Sequence, residues 1–156
     1  YVYAQTSHRP VSLMCTLEEA ISLAAAAHSG QTDRGGAPYI LHLLRVMMQQ
    51  ETLEARIVGV LHDLVEDTEY TFDTLRNRGY SQQVIEALQA VTRRDGEPYE
   101  AFARRAGQHP IGRQVKRADL EDNLNAQRLP AMNQADAERM RKYHAARALL
   151  VEMSRT

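Results

Sequence analysis

His62, Asp63, Glu66 and Asp67 are the residues of this chain whose types and spacing most clearly suggest chemistry. They interrupt a segment that is otherwise oily, with Ile57-Val-Gly-Val-Leu61 before them and Leu64-Val65 among them. A helix over 53–67 would be apolar on nearly every side, which is the signature of a central element. On such a helix His62 and Glu66 stack four apart, as do Asp63 and Asp67, giving one broad polar face. Three carboxylates near a helix C-terminus oppose the dipole, at about 0.3–1 kcal/mol each before repulsion and desolvation are added. The next basic residue along the chain is Arg76, too far for local pairing. A bound divalent cation would repair the imbalance, since it supplies charge and accepts oxygen and imidazole ligands.

Two further candidates lie in other apolar stretches. His42 interrupts Tyr39-Ile-Leu-His-Leu-Leu44, and Asp119 follows Val115 and Ala118. Two imidazoles with two carboxylates form a mixed nitrogen and oxygen set. It disfavours the closed, sulfur-rich sites of structural zinc and suits manganese, iron or another octahedral ion with open water positions. Taken singly, each residue has an ordinary explanation: His42 as a satisfied core histidine, His62-Asp63 as an exposed pair, Asp119 as half of a salt bridge with Lys116 or Arg117. From the residues alone both readings stand.

The elements that must position these groups are helical almost throughout. Thr16 and Glu19 form a capping box ahead of an apolar run through Ala27. Pro38 suits the first turn of a helix over 39–50. Thr71 and Ser81 are N-caps for helices over 72–78 and 82–92, with Gly79 as the stop between them. Helices follow over 97–108, from Pro110 to about 128, and over 134–153. The expected fold class is all-α, a single bundle of about eight helices around one metal site. Residues 1–15 form an N-terminal segment outside the expected chemistry, and residues 16–156 form one domain.

Composition narrows the partners. The 156 residues carry a net charge of −1, which argues against nucleic acid or an anionic membrane as the main partner. A single cysteine, Cys15, excludes an internal disulfide and fits a reducing, cytoplasmic setting. No apolar run approaches the ~18–20 residues of a membrane span, and no secretory signal pattern is present. The chain opens at Tyr1 rather than Met.

Four segments, Ala27-His-Ser-Gly-Gln31, Pro38-Tyr-Ile-Leu-His42, Leu61-His-Asp-Leu-Val-Glu-Asp-Thr68 and Val115-Lys-Arg-Ala-Asp119, carry a family resemblance. In order and spacing they resemble the hydrolase domain of the RelA/SpoT family, within the HD superfamily of metal-dependent phosphohydrolases. They are most similar to the small stand-alone alarmone hydrolases. The resemblance spans roughly residues 16–150. It implies a helical HD domain holding one manganese ion, or another divalent ion, through His42, His62, Asp63 and Asp119. It implies that Glu66 and Asp67 orient and deprotonate the attacking water. It implies removal of pyrophosphate from the 3′ position of guanosine tetra- or pentaphosphate, a small-molecule nucleotide substrate.

The departures from the family pattern fall on the nucleotide side. Where alarmone hydrolases usually carry an arginine near the guanine, this chain has Asp33, which would repel a polyphosphate unless it meets base or ribose donors. Arg34 keeps a cation one position on. Asn123 is kept, the family's threonine position is Ala126, and two acids, Glu121 and Asp122, have entered. Arg34, Lys116 and Asn123 are the expected substrate contacts, Lys116 having a solvated helix face as its alternative. Phosphohydrolase chemistry is therefore expected, with guanosine 3′-pyrophosphates leading. An HD hydrolase of another phosphoester and a non-catalytic metal or nucleotide sensor are the alternatives, and an oligomer is compatible with either. Gly35 and Gly36 read as a turn, with phosphate approach as the alternative. His28 reads equally as a helix-end histidine or as a group orienting a phosphate or ligand. The arginine pairs 93–94 and 104–105 read as solvated faces, with a phosphate entrance as the alternative.

Overall fold

The computed structural model describes residues 15–155, and the segment before Cys15 lies outside the described residues. Helices form where the caps predict them. α1 (Leu17–Ala27) opens on the Thr16–Glu19 capping box. After a loop come α2 (Ile40–Met48) and α3 (Leu53–Leu61), then a four-residue turn of helix, α4 (Leu64–Asp67). α5 (Phe72–Asn77) and α6 (Gln82–Val91) are capped by Thr71 and Ser81, and Gly79 takes a φ of +93° between them. α7 (Tyr99–Gln108), α8 (Pro110–Asn123), a 3-10 turn over Ala126–Arg128 and α9 (Gln134–Glu152) complete the chain. The described residues contain no strand, only one bridge between Thr32 and Pro38. No helix among them is long and apolar enough to cross a membrane.

α3 is the centre of the molecule and packs against α1, α2, α6 and α8. Ile57, Val58, Val60 and Leu61 are all buried. At roughly 1.5–3 kcal/mol for each large apolar side chain, this burial outweighs the dipole penalty of the acids that follow. α3 meets α2 backbone to backbone: a Cβ on Gly59 would lie 3.0 Å from the Met47 Cα. That close crossing carries His42 of α2 toward His62 at the end of α3. A smaller apolar cluster of Ala103, Leu120, Ala146 and Leu150 ties α7 and α9 to α8.

Two boundaries differ from the sequence expectation by more than two residues. The helix expected over 53–67 breaks at His62-Asp63, where Asp63 takes φ −99° and ψ 0°, outside helical geometry. Consecutive residues on an unbroken helix diverge by about 100°. The break lets this adjacent pair face one point instead. The helix from Pro110 ends at Asn123, not near 128, and the chain turns there through the short 3-10 segment.

The second arginine pair is not a solvated face throughout. Arg104 makes an exposed pair with Glu100, but Arg105 grips both oxygens of Glu97 at 2.7 and 2.8 Å. The same guanidinium donates to the carbonyls of Gln89, Ala90 and Thr92, closing the C-terminus of α6. The Arg105 hydrogen bonds bring the Glu97 carboxyl down to about 2. A depressed carboxyl stabilises the fold above its unfolded pKa and loses that contribution as pH falls toward 2. Glu97→Gln should therefore cost on the order of 1–3 kcal/mol at neutral pH. The difference from wild type should shrink between about pH 4.5 and 2, as read by urea unfolding across that window.

Candidate metal centre and substrate cavity

Four side chains from separate elements converge beneath one cavity. His42 comes from α2, His62 and Asp63 from the break between α3 and α4, and Asp119 from α8. Nitrogen and oxygen atoms of His42, His62 and Asp119 lie within 4.8 Å of one another. Asp63 Oδ2 lies 3.1 Å from His62 Nε2 and 3.8 Å from His42 Nε2. His62 is 2 % exposed and Asp119 is 5 % exposed, so the charges are held out of water.

Each group is oriented by a further partner. His62 Nδ1 lies 2.8 Å from the Gly59 carbonyl, which can only accept, so the hydrogen resides on Nδ1. Its buried Nε2 has no hydrogen-bond partner among the described residues and faces the carboxylates. His42 Nδ1 donates to Asp122 at 2.6 Å, which turns Nε2 toward Asp119 at 3.3 Å. Such carboxylate–imidazole pairs fix the tautomer of a metal-binding histidine. Tyr39 donates its hydroxyl to Asp63 at 2.5 Å. Lys116 donates to Asp119 Oδ2 at 2.7 Å, and Asn123 donates to Oδ1 at 2.6 Å.

The electrostatics describe a demand for positive charge. Burial alone would lower the His62 pKa, but the Asp63 and Asp119 carboxylates raise it well above the ordinary imidazole value. Burial opposes ionisation of Asp119, yet Lys116 and the two imidazoles hold its carboxyl well below the usual range. A proton on the imidazole or a cation at the same place would each meet that demand. The orphaned Nε2, the fixed tautomers and a donor set of two nitrogens and two carboxylates fit a divalent ion.

Glu66 and Asp67 line the same cavity, of about 390 Å³. Burial raises the pKa of both, with Asp63 adding to the shift. Glu66 also accepts the backbone N–H of Arg93. Arg34, Lys116 and Asn123 are among the lining residues too. Arg34 is largely exposed and pairs with Asp136 of α9 at 3.3 Å. Lys116 is 8 % exposed, so the solvated-face reading fails. The salt bridge expected for Asp119 does exist, and it coexists with the imidazole contacts.

Asp33 does not present a free negative charge at the entrance. Its Oδ1 accepts the backbone N–H groups of Gly35 and Ala37, and its Oδ2 pairs with Arg128 at 3.0 Å. Gly36 makes the expected turn, with φ +83°. Gly35 serves a close approach of a different kind, because a Cβ there would collide with the Arg128 carbonyl oxygen. His28 caps α1 and is buried against Tyr39, away from the cavity lining.

Sequence reasoning missed Asp122, Arg128, Tyr99, Arg139 and Lys142. Asp122 read only as an intruding acid. A signal existed in α9: Asp136, Arg139, Met140 and Tyr143 follow helical spacing and all line the cavity. Gly35→Ala should force the loop away from Arg128 and cost about 1–3 kcal/mol. Thermal unfolding would report the loss, and Gly36→Ala makes a comparison in which only the backbone conformation is strained.

No family model matches the chain. It is 38% identical over 91 residues to a GTP pyrophosphokinase of Streptomyces coelicolor, 54% of this chain and 10% of that protein. It is 31% identical over 81 residues to a guanosine-3′,5′-bis(diphosphate) 3′-pyrophosphohydrolase of Aquifex aeolicus, 49% of this chain and 12% of the relative. It is 31% identical over 96 residues to the bifunctional (p)ppGpp synthase/hydrolase SpoT of Escherichia coli, 57% of this chain and 13% of the relative. The chain thus spans roughly a tenth of the length of these curated relatives. A solved structure described as a metazoan ortholog of SpoT that hydrolyzes ppGpp superposes with a TM-score of 0.70 at 19% identity, covering 96% of this chain and 97% of that one. The chain has the all-helical fold of a SpoT-type hydrolase domain and resembles RelA/SpoT proteins over about half of its sequence.

Proposed function

We propose that this chain is a metal-dependent phosphohydrolase that removes pyrophosphate from the 3′ position of guanosine tetra- or pentaphosphate. One observation carries the reading: the buried, unpartnered Nε2 of His62 faces His42, Asp63 and Asp119 in the cavity that Glu66 and Asp67 line. The names of the relatives support the guanosine 3′-pyrophosphate class. The mixed nitrogen and oxygen donor set, with no thiolate, supports manganese, iron or another octahedral divalent ion over structural zinc. The lone Cys15 supports a reducing, cytoplasmic setting.

His42, His62, Asp63 and Asp119 would hold the ion. When bound, it would supply Lewis acidity to a water molecule and to the phosphoryl oxygens. The chain's own residues do the rest. Glu66 and Asp67 accept the proton of the attacking water, and burial makes each a stronger base than an exposed carboxylate. Lys116 and Asn123 hold the two oxygens of Asp119 so that the carboxylate cannot rotate away. One of the three Lys116 donors serves Asp119, which leaves others for a phosphate oxygen. Arg34 meets a phosphate from the rim.

The Asp33–Arg128 pair favours a second reading, an HD hydrolase of a different nucleotide, because it occupies the place where alarmone hydrolases carry an arginine. Product analysis on a nucleotide panel with manganese separates the two; preference for a non-guanosine substrate would select the second. Under the first reading, chelation should abolish turnover, and manganese should restore it at about one ion per chain. Asp63→Ala should lose metal and activity together. Glu66→Gln and Asp67→Asn should keep the metal and lose about 10²–10⁴-fold in kcat. A metal-free protein turning over at the full rate would end the proposal. Asp122→Asn should weaken metal affinity about 10–100-fold, as read by competition with a chelator.

A further inference from the structure

The cations lining the cavity are nearly all engaged. Arg34 and Arg139 share Asp136, Lys116 pairs with Asp119, and Arg128 pairs with Asp33 and Asp122. Arg93 donates to the Glu97 carbonyl at 2.7 and 2.9 Å. Lys142 differs. Among the described residues it has no ion pair or hydrogen bond, and its Nζ rests 4.5 Å from the centre of the Tyr99 ring and 5.5 Å from that of Tyr143. Lys116 approaches the same Tyr99 ring at 5.5 Å, which places Lys142 one aromatic ring away from the acid–imidazole cluster. Among the described residues the buried Tyr99 hydroxyl oxygen has no hydrogen-bond partner.

We infer that Lys142, with the Tyr99 hydroxyl, binds a second phosphate group of the substrate, remote from the one cleaved, and so determines specificity. The inference rests on the phosphohydrolase reading for the identity of the substrate. Its physical basis is separate. Among the described residues no carboxylate pairs with the Lys142 ammonium, and burial with Arg93, Arg139 and Lys116 nearby makes that ammonium harder to keep. A phosphate relieves that repulsion, and the tyrosine hydroxyl donates to one of its oxygens. The aromatic rings hold the lysine in place before the substrate arrives, which reduces the ordering cost of binding.

Binding separates this role from catalysis. Glu66→Gln protein, loaded with manganese so that nucleotide is not consumed, is titrated calorimetrically with guanosine 3′,5′-bisdiphosphate and with guanosine 3′-diphosphate. Adding Lys142→Gln should weaken the first nucleotide about tenfold and the second less than twofold, and Lys142→Arg should recover most of the loss. Tyr99→Phe should weaken the first nucleotide selectively and by a smaller factor. Equal losses for both nucleotides, or no loss for either, would overturn the role of Lys142. Failure of the underlying reading would look different: wild-type protein with metal would bind the nucleotides and release no product.

Discussion

Burying acids and imidazoles together is the constraint on which the rest of this structure depends. His62 and Asp119 are almost fully enclosed, and Asp63 lies within 3.1 Å of His62. In such surroundings an unmet charge costs several kcal/mol. The cluster persists because the apolar bulk of α3 fixes its position and because every group is held from behind. Among the described residues His62 Nε2 has no hydrogen-bond partner, and it points at the common centre. A protein built for stability alone would have filled this space with leucine, as it does at Leu61 and Leu64 on either side.

Asp122 extends the same electrostatics outward. Its carboxylate accepts from His42 on one side and from Arg45 on the other, while Arg128 lies 3.1 Å away. Arg128 in turn reaches Asp33, whose other oxygen organises the loop that carries Arg34. One chain of charge-assisted hydrogen bonds therefore runs from His42 to the loop that carries Arg34. Gly35 lets that loop lie directly on the Arg128 backbone. The acid that looked, in sequence, like an obstacle to polyphosphate is the anchor of the loop.

Helix number, most caps and the central place of the 53–67 segment were legible from local pattern, because apolar spacing and capping chemistry are local. The gathering of His42, His62, Asp63 and Asp119 was foreshadowed by polar residues set in oily stretches. The break at Asp63 was not, because it follows from tertiary demands on that carboxylate: hydrogen bonding to Tyr39 and proximity to His62. The partners of Asp33 were equally hidden, since Arg128 lies 95 positions away in sequence. Lys142 and Tyr99 drew no notice because neither interrupts an apolar run; only the packing of α7 against α9 makes them neighbours.

The two walls of the cavity are held by different forces. The wall bearing the acids and imidazoles stands on α2, α3 and α8, which share the main apolar core. Displacing it would expose large buried side chains at roughly 1.5–3 kcal/mol each. The opposite wall, formed by the 32–37 loop, the 3-10 turn and the start of α9, is joined mainly by ion pairs through Asp33, Asp122 and Asp136. Such pairs can be exchanged for others at little net cost when both partners change together. A substitution at Asp33, which lines the cavity, can therefore reshape this wall while the acid–imidazole cluster keeps its geometry.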